Sequence, residues 1–179
     1  MFEGPIFLTG FMATGKSRVG QLVAQRLERE FVDTDSLIEE RAGKPISRIF
    51  ADDGEDAFRQ LEYECVCQAA QRPESVVALG GGAIAHERNR DAIHRAGGAL
   101  ICLEADVDTI LERVSRRNTR PLLAGLSREE RREKICRMLA ERAPHYAMAD
   151  FAVSSCDDTT VQQTAAHLVD ALESWHAHR

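Results

Sequence analysis

A glycine-rich segment near the start of the chain has the residue types and spacing of a phosphate-binding loop. Residues 10–17 read GFMATGKS, a full match to GxxxxGK[ST], with an apolar run before it and a helical pattern after it. Gly10 and Gly15 allow the backbone to wrap so that successive N–H groups face one anion. Lys16 would then reach the β- and γ-phosphates of a nucleotide, and the Ser17 hydroxyl could hold Mg²⁺. The segment therefore predicts a site for a nucleoside triphosphate and a magnesium ion.

Two aspartates, Asp33 and Asp35, end the second apolar run in FVDTD. The chain has no guanine-reading NKxD motif, and its third apolar run, VVALG, ends without the aspartate that ATPases place near the metal. We therefore predict that Asp33 orients the metal. We also predict that Asp35 receives, or at least orients, the proton of an acceptor hydroxyl, since an extended chain would point both carboxylates toward the phosphates. Asp35 could instead, or in addition, cap a helix that starts at Ser36.

Basic and glycine residues indicate what kind of acceptor the site would take. Arg59 lies near the start of a predicted helix, Arg142 precedes Ala143 and Pro144, and residues 80–82 form a glycine turn after the third apolar run. Two guanidinium groups and exposed backbone amides suit an acceptor that carries a carboxylate and hydroxyls. Each arginine taken alone could equally be a surface ion-pair partner, because the chain has twenty arginines.

The elements that must position these residues alternate between short apolar runs and longer segments of helical period. The predicted strands are residues 5–9, 30–33, 75–79, 99–103 and 151–154. The predicted helices are residues 15–29, 55–71, 87–96, 107–117, 128–147 and 159–176. The runs suit strands buried on both faces, so we predict an α/β domain with three layers, α/β/α, around a five-stranded parallel sheet. Ligands are then expected beyond the carboxyl ends of the strands.

Residues 34–54 and residues 118–127 interrupt this alternation. The interrupting residues are Gly43, Pro45 and Gly54 in the first stretch and Pro121 and Gly125 in the second. Long connections within one domain are typical of lids or binding elements, so we predict two loops that move on binding. We expect a single domain over residues 1–179, with a substrate-binding insertion at about 34–62 and a mobile lid at about 116–127.

The composition excludes several classes of protein. It is 44% apolar and 29% charged, as in globular domains, and the formal charge of -6 argues against a general nucleic-acid-binding surface. The apolar stretches are too short to span a bilayer, and the N-terminus lacks the basic residues of a signal peptide. The five cysteines are scattered without a CxxC pair, and the six histidines share no face. We expect a cytoplasmic protein with reduced thiols and no nucleic-acid or membrane partner.

Six motifs together resemble one enzyme family. In chain order they are GFMATGKS, FVDTD with IEE behind it, IFADDGEDAFR, LGGGA, RPLLAG and ERAPHY, spread over about 145 residues. In this combination the chain resembles the shikimate kinases, small P-loop kinases of the nucleoside-monophosphate-kinase fold. A gluconate kinase would share the phosphate-binding loop but not FVDTD, LGGGA and RPLL together. A regulator built on a retired kinase domain is the alternative from a different class.

The resemblance implies an enzyme that transfers the γ-phosphoryl group of ATP to the 3-hydroxyl of shikimate. The products would be shikimate 3-phosphate and ADP, in the pathway to chorismate and the aromatic amino acids. The two arginines match family positions that meet the shikimate carboxylate. The expected shikimate site comprises Asp35, Arg59, Gly80, Gly81, Gly82 and Arg142.

The resemblance also implies that ATP is the co-substrate and that each subunit, expected to be a monomer, holds one Mg²⁺. Asp33 matches the acid near the magnesium, with Ser17 as the other ligand. Arg120, in RPLL, matches a lid arginine that swings over the phosphates. The expected catalytic residues are Lys16, Asp35 and Arg120, and the expected nucleotide-binding residues are Gly10, Ala13, Thr14, Gly15, Lys16, Ser17, Arg18 and Arg120.

This chain departs from the family pattern in two places that affect the nucleotide site. Ala13 stands where the family commonly has a third glycine, which is expected to alter the flexibility of the loop while leaving its amide donors intact. Residues 156–158 are CDD, acidic at the place of the family's adenine loop. For that reason we assign no adenine-contacting residue there.

Overall fold

A computed structural model describes residues 2–116, 123, 125–156 and 158–178, and a parallel sheet forms its centre. The strands are β1 (Ile6–Thr9), β2 (Glu30–Asp33), β3 (Ser75–Ala78), β4 (Ala99–Glu104) and β5 (Phe151–Ser154). They pair in the order β2-β3-β1-β4-β5, and every pairing is parallel. The five predicted strands are therefore confirmed, each to within one residue at its ends.

The central strand, β1, shows why the strands appear in the sequence as continuous apolar runs. Ile6 and Leu8 pack into the core on one face of the sheet, and Phe7 packs into the core on the other. In the ladder, Ile6 lies beside Val76 of β3 and Ala99 of β4. Because helices cover both faces, every position of this strand is buried, which favours apolar side chains.

Helices form the two outer layers. The described helices are α1 (Lys16–Arg26), α2 (Thr34–Ala42), α3 (Ile46–Asp52), α4 (Gly54–Ala70), α5 (Glu87–Arg95), α6 (Val107–Ser115), α7 (Arg128–Tyr146) and α8 (Val161–Ala177), with a 3₁₀ turn at Ala83–Ala85. Val19 of α1 and Leu168 of α8 belong to the core on one side of the sheet. Val66 of α4, Ile110 of α6 and Ile135 of α7 belong to the core on the other. This confirms the predicted three-layer α/β/α arrangement.

Residues 34–54 fold into the two short helices α2 and α3, so the prediction of a long loop there was wrong. The three interrupting residues fall between helices: Gly43 ends α2 with φ 67°, Pro45 precedes α3, and Gly54 begins α4 with φ 86°. Ile38 of α2 and Ile49 of α3 are fully buried against α4 in a small separate core. Helices of two turns show too little periodicity for a sequence pattern to reveal them, and their stability comes from this packing.

Capping boxes fix the starts of the last two helices. The Ser127 hydroxyl accepts from the Glu130 backbone N–H, and the Glu130 carboxylate accepts from the Ser127 N–H; Thr160 and Gln163 repeat the arrangement. At the other end of α8, the Trp175 ring packs edge-on against Phe2, with ring centroids 5.8 Å apart. In the part of the chain that the structure describes, no helix is both long and apolar enough to cross a membrane.

Candidate active site

The backbone of residues 10–17, here called the phosphate loop, forms a tight turn between β1 and α1. Gly10 has φ 134°, and a Cβ at this position would collide with the Leu103 carbonyl of β4. Gly15 has φ 96° and lies directly before the first residue of α1. The Thr14 hydroxyl donates to the Phe11 carbonyl at 2.8 Å and braces the turn. The loop thus delivers the positive end of the α1 dipole, with the N–H groups of its first turn, to one point.

Two side chains of the phosphate loop have partners close to the loop. The Lys16 ammonium lies across the loop and donates to the carbonyls of Gly10 at 2.8 Å and Phe11 at 3.0 Å. The Ser17 hydroxyl donates to a carboxylate oxygen of Asp33 at 2.7 Å. Because β1 and β2 end at the same edge of the sheet, the serine and the aspartate meet although 16 residues separate them.

Asp33 has a second role that the sequence did not reveal. Its other carboxylate oxygen accepts from the backbone N–H groups of Asp35 at 3.0 Å and Ser36 at 3.4 Å, which caps α2. The helix therefore starts at Thr34, and the alternative in which Asp35 caps a helix from Ser36 was wrong. The assumption of an extended chain was also wrong, because Asp35 lies in the first turn of α2. Both carboxylates nevertheless line one cavity.

The Asp35 carboxyl has the altered acidity expected of a group that handles a proton. Burial of the carboxyl, together with the nearby negative charge of Asp33, raises the pKa of Asp35 to about 6, and the Lys16 ammonium only partly opposes this rise. Water still reaches the side chain from the open side of the cavity. Asp35 is thus largely ionised at neutral pH and basic enough to accept a proton.

Thr34, which the sequence analysis missed, joins α2 to the turn that follows β3. Residues 80–82 are here called the glycine turn. The buried Thr34 hydroxyl donates to the Ala78 carbonyl at 3.2 Å and accepts from the Gly80 N–H at 3.1 Å. A Cβ at Gly80 would lie 2.8 Å from a carboxylate oxygen of Asp35. Glycine at this position therefore lets Asp35 approach the turn.

Arg59 approaches the other side of the glycine turn from α4. A Cβ at Gly82 would lie 3.6 Å from one Arg59 guanidinium nitrogen. The guanidinium pairs with Glu62 at 3.1 Å and with the exposed Glu55 at 3.2 Å. The Glu62 side chain is only 2% exposed, and burial raises the pKa of its carboxyl, an effect that Arg59 partly opposes. This buried carboxylate, which no sequence signal had marked, holds Arg59 in position.

Arg142 reaches the glycine turn from α7. One of its guanidinium nitrogens lies 3.4 Å from the Gly81 carbonyl, and the guanidinium carbon lies 5.5 Å from the centre of the Phe11 ring. The Tyr146 hydroxyl, one helical turn further along α7, donates to the same carbonyl at 3.0 Å. The glycine turn is therefore held between α4 and α7, with a guanidinium on each side.

One cavity of about 490 Å³ is lined by many of these groups, although Gly10, Thr14, Arg59 and Gly80 are not among its lining residues. Its lining includes phosphate-loop residues, both aspartates and part of the glycine turn, among them Lys16, Ser17, Asp33, Asp35, Gly81 and Arg142. Arg18 lines it as well, and its role in nucleotide binding remains a prediction. Cationic and backbone N–H donors at one end and the Asp35 carboxylate beside the glycine turn could hold a polyphosphate close to an acceptor.

The cavity also contains residues that the sequence analysis missed. It is lined by Arg113 and Arg116 near the end of α6 and by Ser155, Thr159, Val161 and Thr164 after β5. The Arg113 guanidinium donates to the Ala13 carbonyl and to the Ser155 hydroxyl, each at 3.3 Å. Ala13 itself has φ 63°, a left-handed conformation that is strained for any residue with a Cβ. Arg113 thus braces the strained part of the phosphate loop.

The predicted lid cannot be placed in this cavity. Residues 117–122 and 124 lie outside the described residues, and Arg120 is among them. The lid prediction and the predicted catalytic role of Arg120 therefore remain predictions.

Comparisons with known proteins give a consistent result. The family model described as "Shikimate kinase" matches residues 12–173. A shikimate kinase from Chlorobium luteolum is 43% identical over 173 residues, covering 94% of this chain and 85% of the relative. One from Chlorobium chlorochromatii is 41% identical, covering 95% of this chain and 91% of the relative.

Solved structures give the same family. Shikimate kinase from Bacteroides thetaiotaomicron superposes with a TM-score of 0.88 at 31% identity, covering 95% of this chain and 98% of that one. The enzyme from Acinetobacter baumannii, solved with shikimate, gives 0.86 at 32% identity, covering 97% and 96%. A gluconokinase from Sinorhizobium meliloti gives only 0.56 at 19% identity and shares the fold alone. The chain therefore belongs to the shikimate kinase family of ATP-dependent phosphotransferases.

Proposed function

We propose that this chain phosphorylates the 3-hydroxyl of shikimate with ATP, giving shikimate 3-phosphate and ADP for the synthesis of chorismate and the aromatic amino acids. The observation that supports this most directly is the single cavity in which the phosphate loop meets Asp35 and the glycine turn. The arginines on either side of that turn suit an acceptor with one carboxylate and several hydroxyls.

The nucleotide would lie along the phosphate loop. Its phosphates would accept from the loop amides and from Lys16, with Thr14 bracing the loop and Arg18 at its rim. The base would lie toward Arg113 and Thr159, in the part of the site that the sequence left unassigned. Arg120 would close over the phosphates from the lid.

Ser17 and Asp33 fit a magnesium ion. They present a hydroxyl and a carboxylate oxygen 2.7 Å apart beside the phosphate loop, and hard oxygen ligands in small number are what Mg²⁺ takes from proteins at nucleotide sites. A bound Mg²⁺ would neutralise phosphate charge. Asp33 is already fixed by its two backbone donors at the start of α2, so its free oxygen atom is held toward Ser17.

Asp35 would act on the acceptor hydroxyl. The hydroxyl oxygen forms a bond to the γ-phosphorus while the bond from that phosphorus to the β,γ-bridging oxygen breaks, and ADP leaves with the electron pair. The hydroxyl proton passes to Asp35, whose raised pKa of about 6 suits a base at neutral pH. Arg59 and Arg142 would hold the acceptor carboxylate, and the amide of Gly81 would help to orient the ring.

A substrate panel tests this proposal. Purified protein is given ATP and Mg²⁺ with shikimate, gluconate or no acceptor, and ADP release is followed with coupled enzymes. We expect release to require shikimate and to be lost in Lys16→Ala, while the matched control Lys134→Ala, whose lysine is not among the residues lining the cavity, keeps it. Phosphorylation of gluconate with shikimate untouched would refute the proposal. We also propose that the enzyme acts as a cytoplasmic monomer. Sedimentation of the active protein would check that it is a monomer.

A further inference from the structure

Two side chains of α7 share one backbone acceptor. The Gly81 carbonyl accepts from the Tyr146 hydroxyl at 3.0 Å and lies 3.4 Å from an Arg142 guanidinium nitrogen. The arginine contact is at the long limit of a hydrogen bond, whereas the tyrosine contact has ordinary length. Tyr146 is therefore the stronger of the two attachments between α7 and the glycine turn.

Arg142 has other partners, and Tyr146 is fixed by packing. The Arg142 guanidinium also lies over the Phe11 ring of the phosphate loop. Tyr146 is 9% exposed and belongs to the main core. Burial raises the pKa of the Tyr146 hydroxyl, although Arg142 opposes this, so the hydroxyl keeps the proton that it donates.

The peptide bond between Gly81 and Gly82, whose carbonyl Tyr146 holds, lies where ATP and shikimate would meet. A Cβ at Gly81 would lie 3.4 Å from Arg142 and 3.6 Å from the Gly10 carbonyl, so the glycine turn packs directly against the phosphate loop. In a trans peptide the C=O and the following N–H point in opposite directions. Fixing the Gly81 carbonyl toward α7 therefore fixes the Gly82 N–H away from it.

We propose that Tyr146 is a positioning residue for acceptor binding: its hydroxyl anchors the Gly81 carbonyl, which sets the glycine turn and leaves Arg142 able to turn to the acceptor carboxylate. This rests on the proposed function, because shikimate is the acceptor considered. If the Tyr146 hydroxyl is removed, Arg142 is the remaining donor on α7 near the Gly81 carbonyl. Shikimate would then have to draw Arg142 away from that carbonyl in order to bind.

The test removes one oxygen atom. In Tyr146→Phe we expect the shikimate KM to rise about threefold to tenfold, with the ATP KM and kcat changed by less than about twofold. The matched control is Tyr63→Phe, which removes the hydroxyl of the chain's other tyrosine, on α4, and should leave all three constants unchanged. An unchanged shikimate KM in Tyr146→Phe would overturn the inference. So would an equal rise in both KM values, because general loosening of the fold predicts that result.

A second pair of variants tests whether Tyr146 leaves Arg142 free to turn to the shikimate carboxylate. If the tyrosine acts partly by freeing this arginine, Tyr146→Phe should raise the shikimate KM by a smaller factor in an Arg142→Lys background than in the wild type. Equal factors in both backgrounds would overturn that part of the inference. Wild-type protein in the same assay keeps the two proposals apart: if it phosphorylates shikimate and Tyr146→Phe behaves identically, only the role of Tyr146 fails.

Discussion

The raised pKa of Asp35 makes the pH dependence of the reaction a quantitative prediction. Burial and the neighbouring Asp33 raise this pKa to about 6. A group with that pKa is about nine-tenths ionised at pH 7 and about one-tenth ionised at pH 5. Because Asp35 must be ionised to accept the hydroxyl proton, kcat/KM for shikimate should fall by up to about tenfold between these two pH values, and by less where bound Mg²⁺ offsets the charge of Asp33.

Two measurements check this prediction. The first is the acid limb of kcat/KM for shikimate at saturating ATP, and the second is a carbon NMR titration of the Asp35 carboxyl in the ligand-free protein. Asp35→Asn identifies the signal and should lower kcat at least about a hundredfold, while the protein still folds because Asp33, not Asp35, caps the helix. An Asp35 carboxyl that titrates near pH 4 would refute the raised pKa, and full activity of Asp35→Asn would refute the role of Asp35 as the base.

The same pKa shift fixes the sign of a stability effect. The pKa of Asp35 is higher in the folded protein than its ordinary value of 3.8, so the folded state binds the proton more readily between about pH 4 and 6. Wild-type stability relative to Asp35→Asn should therefore rise as the pH falls from 7 through 6 toward 4. Melting curves of the two proteins measure this change, and a wild-type stability that falls relative to Asp35→Asn as the pH is lowered would contradict the assigned environment.

Three further substitutions test other parts of the site. Arg59→Lys should raise the shikimate KM about tenfold and leave the ATP KM unchanged, because an ammonium cannot make the bidentate hydrogen bonds that a guanidinium makes to a carboxylate. An unaltered shikimate KM would show that Arg59 does not bind shikimate. Ser17→Ala should increase the Mg²⁺ concentration needed for half-maximal activity several-fold, and an unshifted magnesium titration would count against the Ser17–Asp33 site. Ala13→Gly should raise the free energy of unfolding by about 0.5 to 1 kcal/mol, because φ 63° strains alanine; a lower melting temperature would contradict this.

The sequence was sufficient for the parts of the fold whose chemistry is local. A phosphate loop needs glycines at positive φ, and Gly10 and Gly15 have it. Strands covered on both faces are mostly apolar, and β1 and β3 are fully buried. By contrast, α2 and α3 are too short for periodicity to mark them, and they are held by the burial of Ile38 and Ile49 against α4.

The parts of the site that could not be predicted depend on tertiary packing. Glu62 has the sequence appearance of a surface acid on a helix, yet α4 buries it beneath Arg59. Thr34 and Tyr146 act on backbone groups of the glycine turn that lie 46 and 65 residues away along the chain. Such contacts follow from the order of the strands and not from spacing in the sequence. The residue types were visible, but their partners were not.

The proposed reaction requires that the hydroxyl held beside Asp35 receives the γ-phosphoryl group of an ATP molecule bound at the phosphate loop. The most direct measurement is phosphorus and proton NMR of the product formed by the purified protein from ATP, Mg²⁺ and shikimate. We predict one new phosphate ester, coupled to the proton at the 3-position of the ring, in amounts equal to the ADP released. An ester at another hydroxyl, or ADP release with only inorganic phosphate formed, would contradict the account.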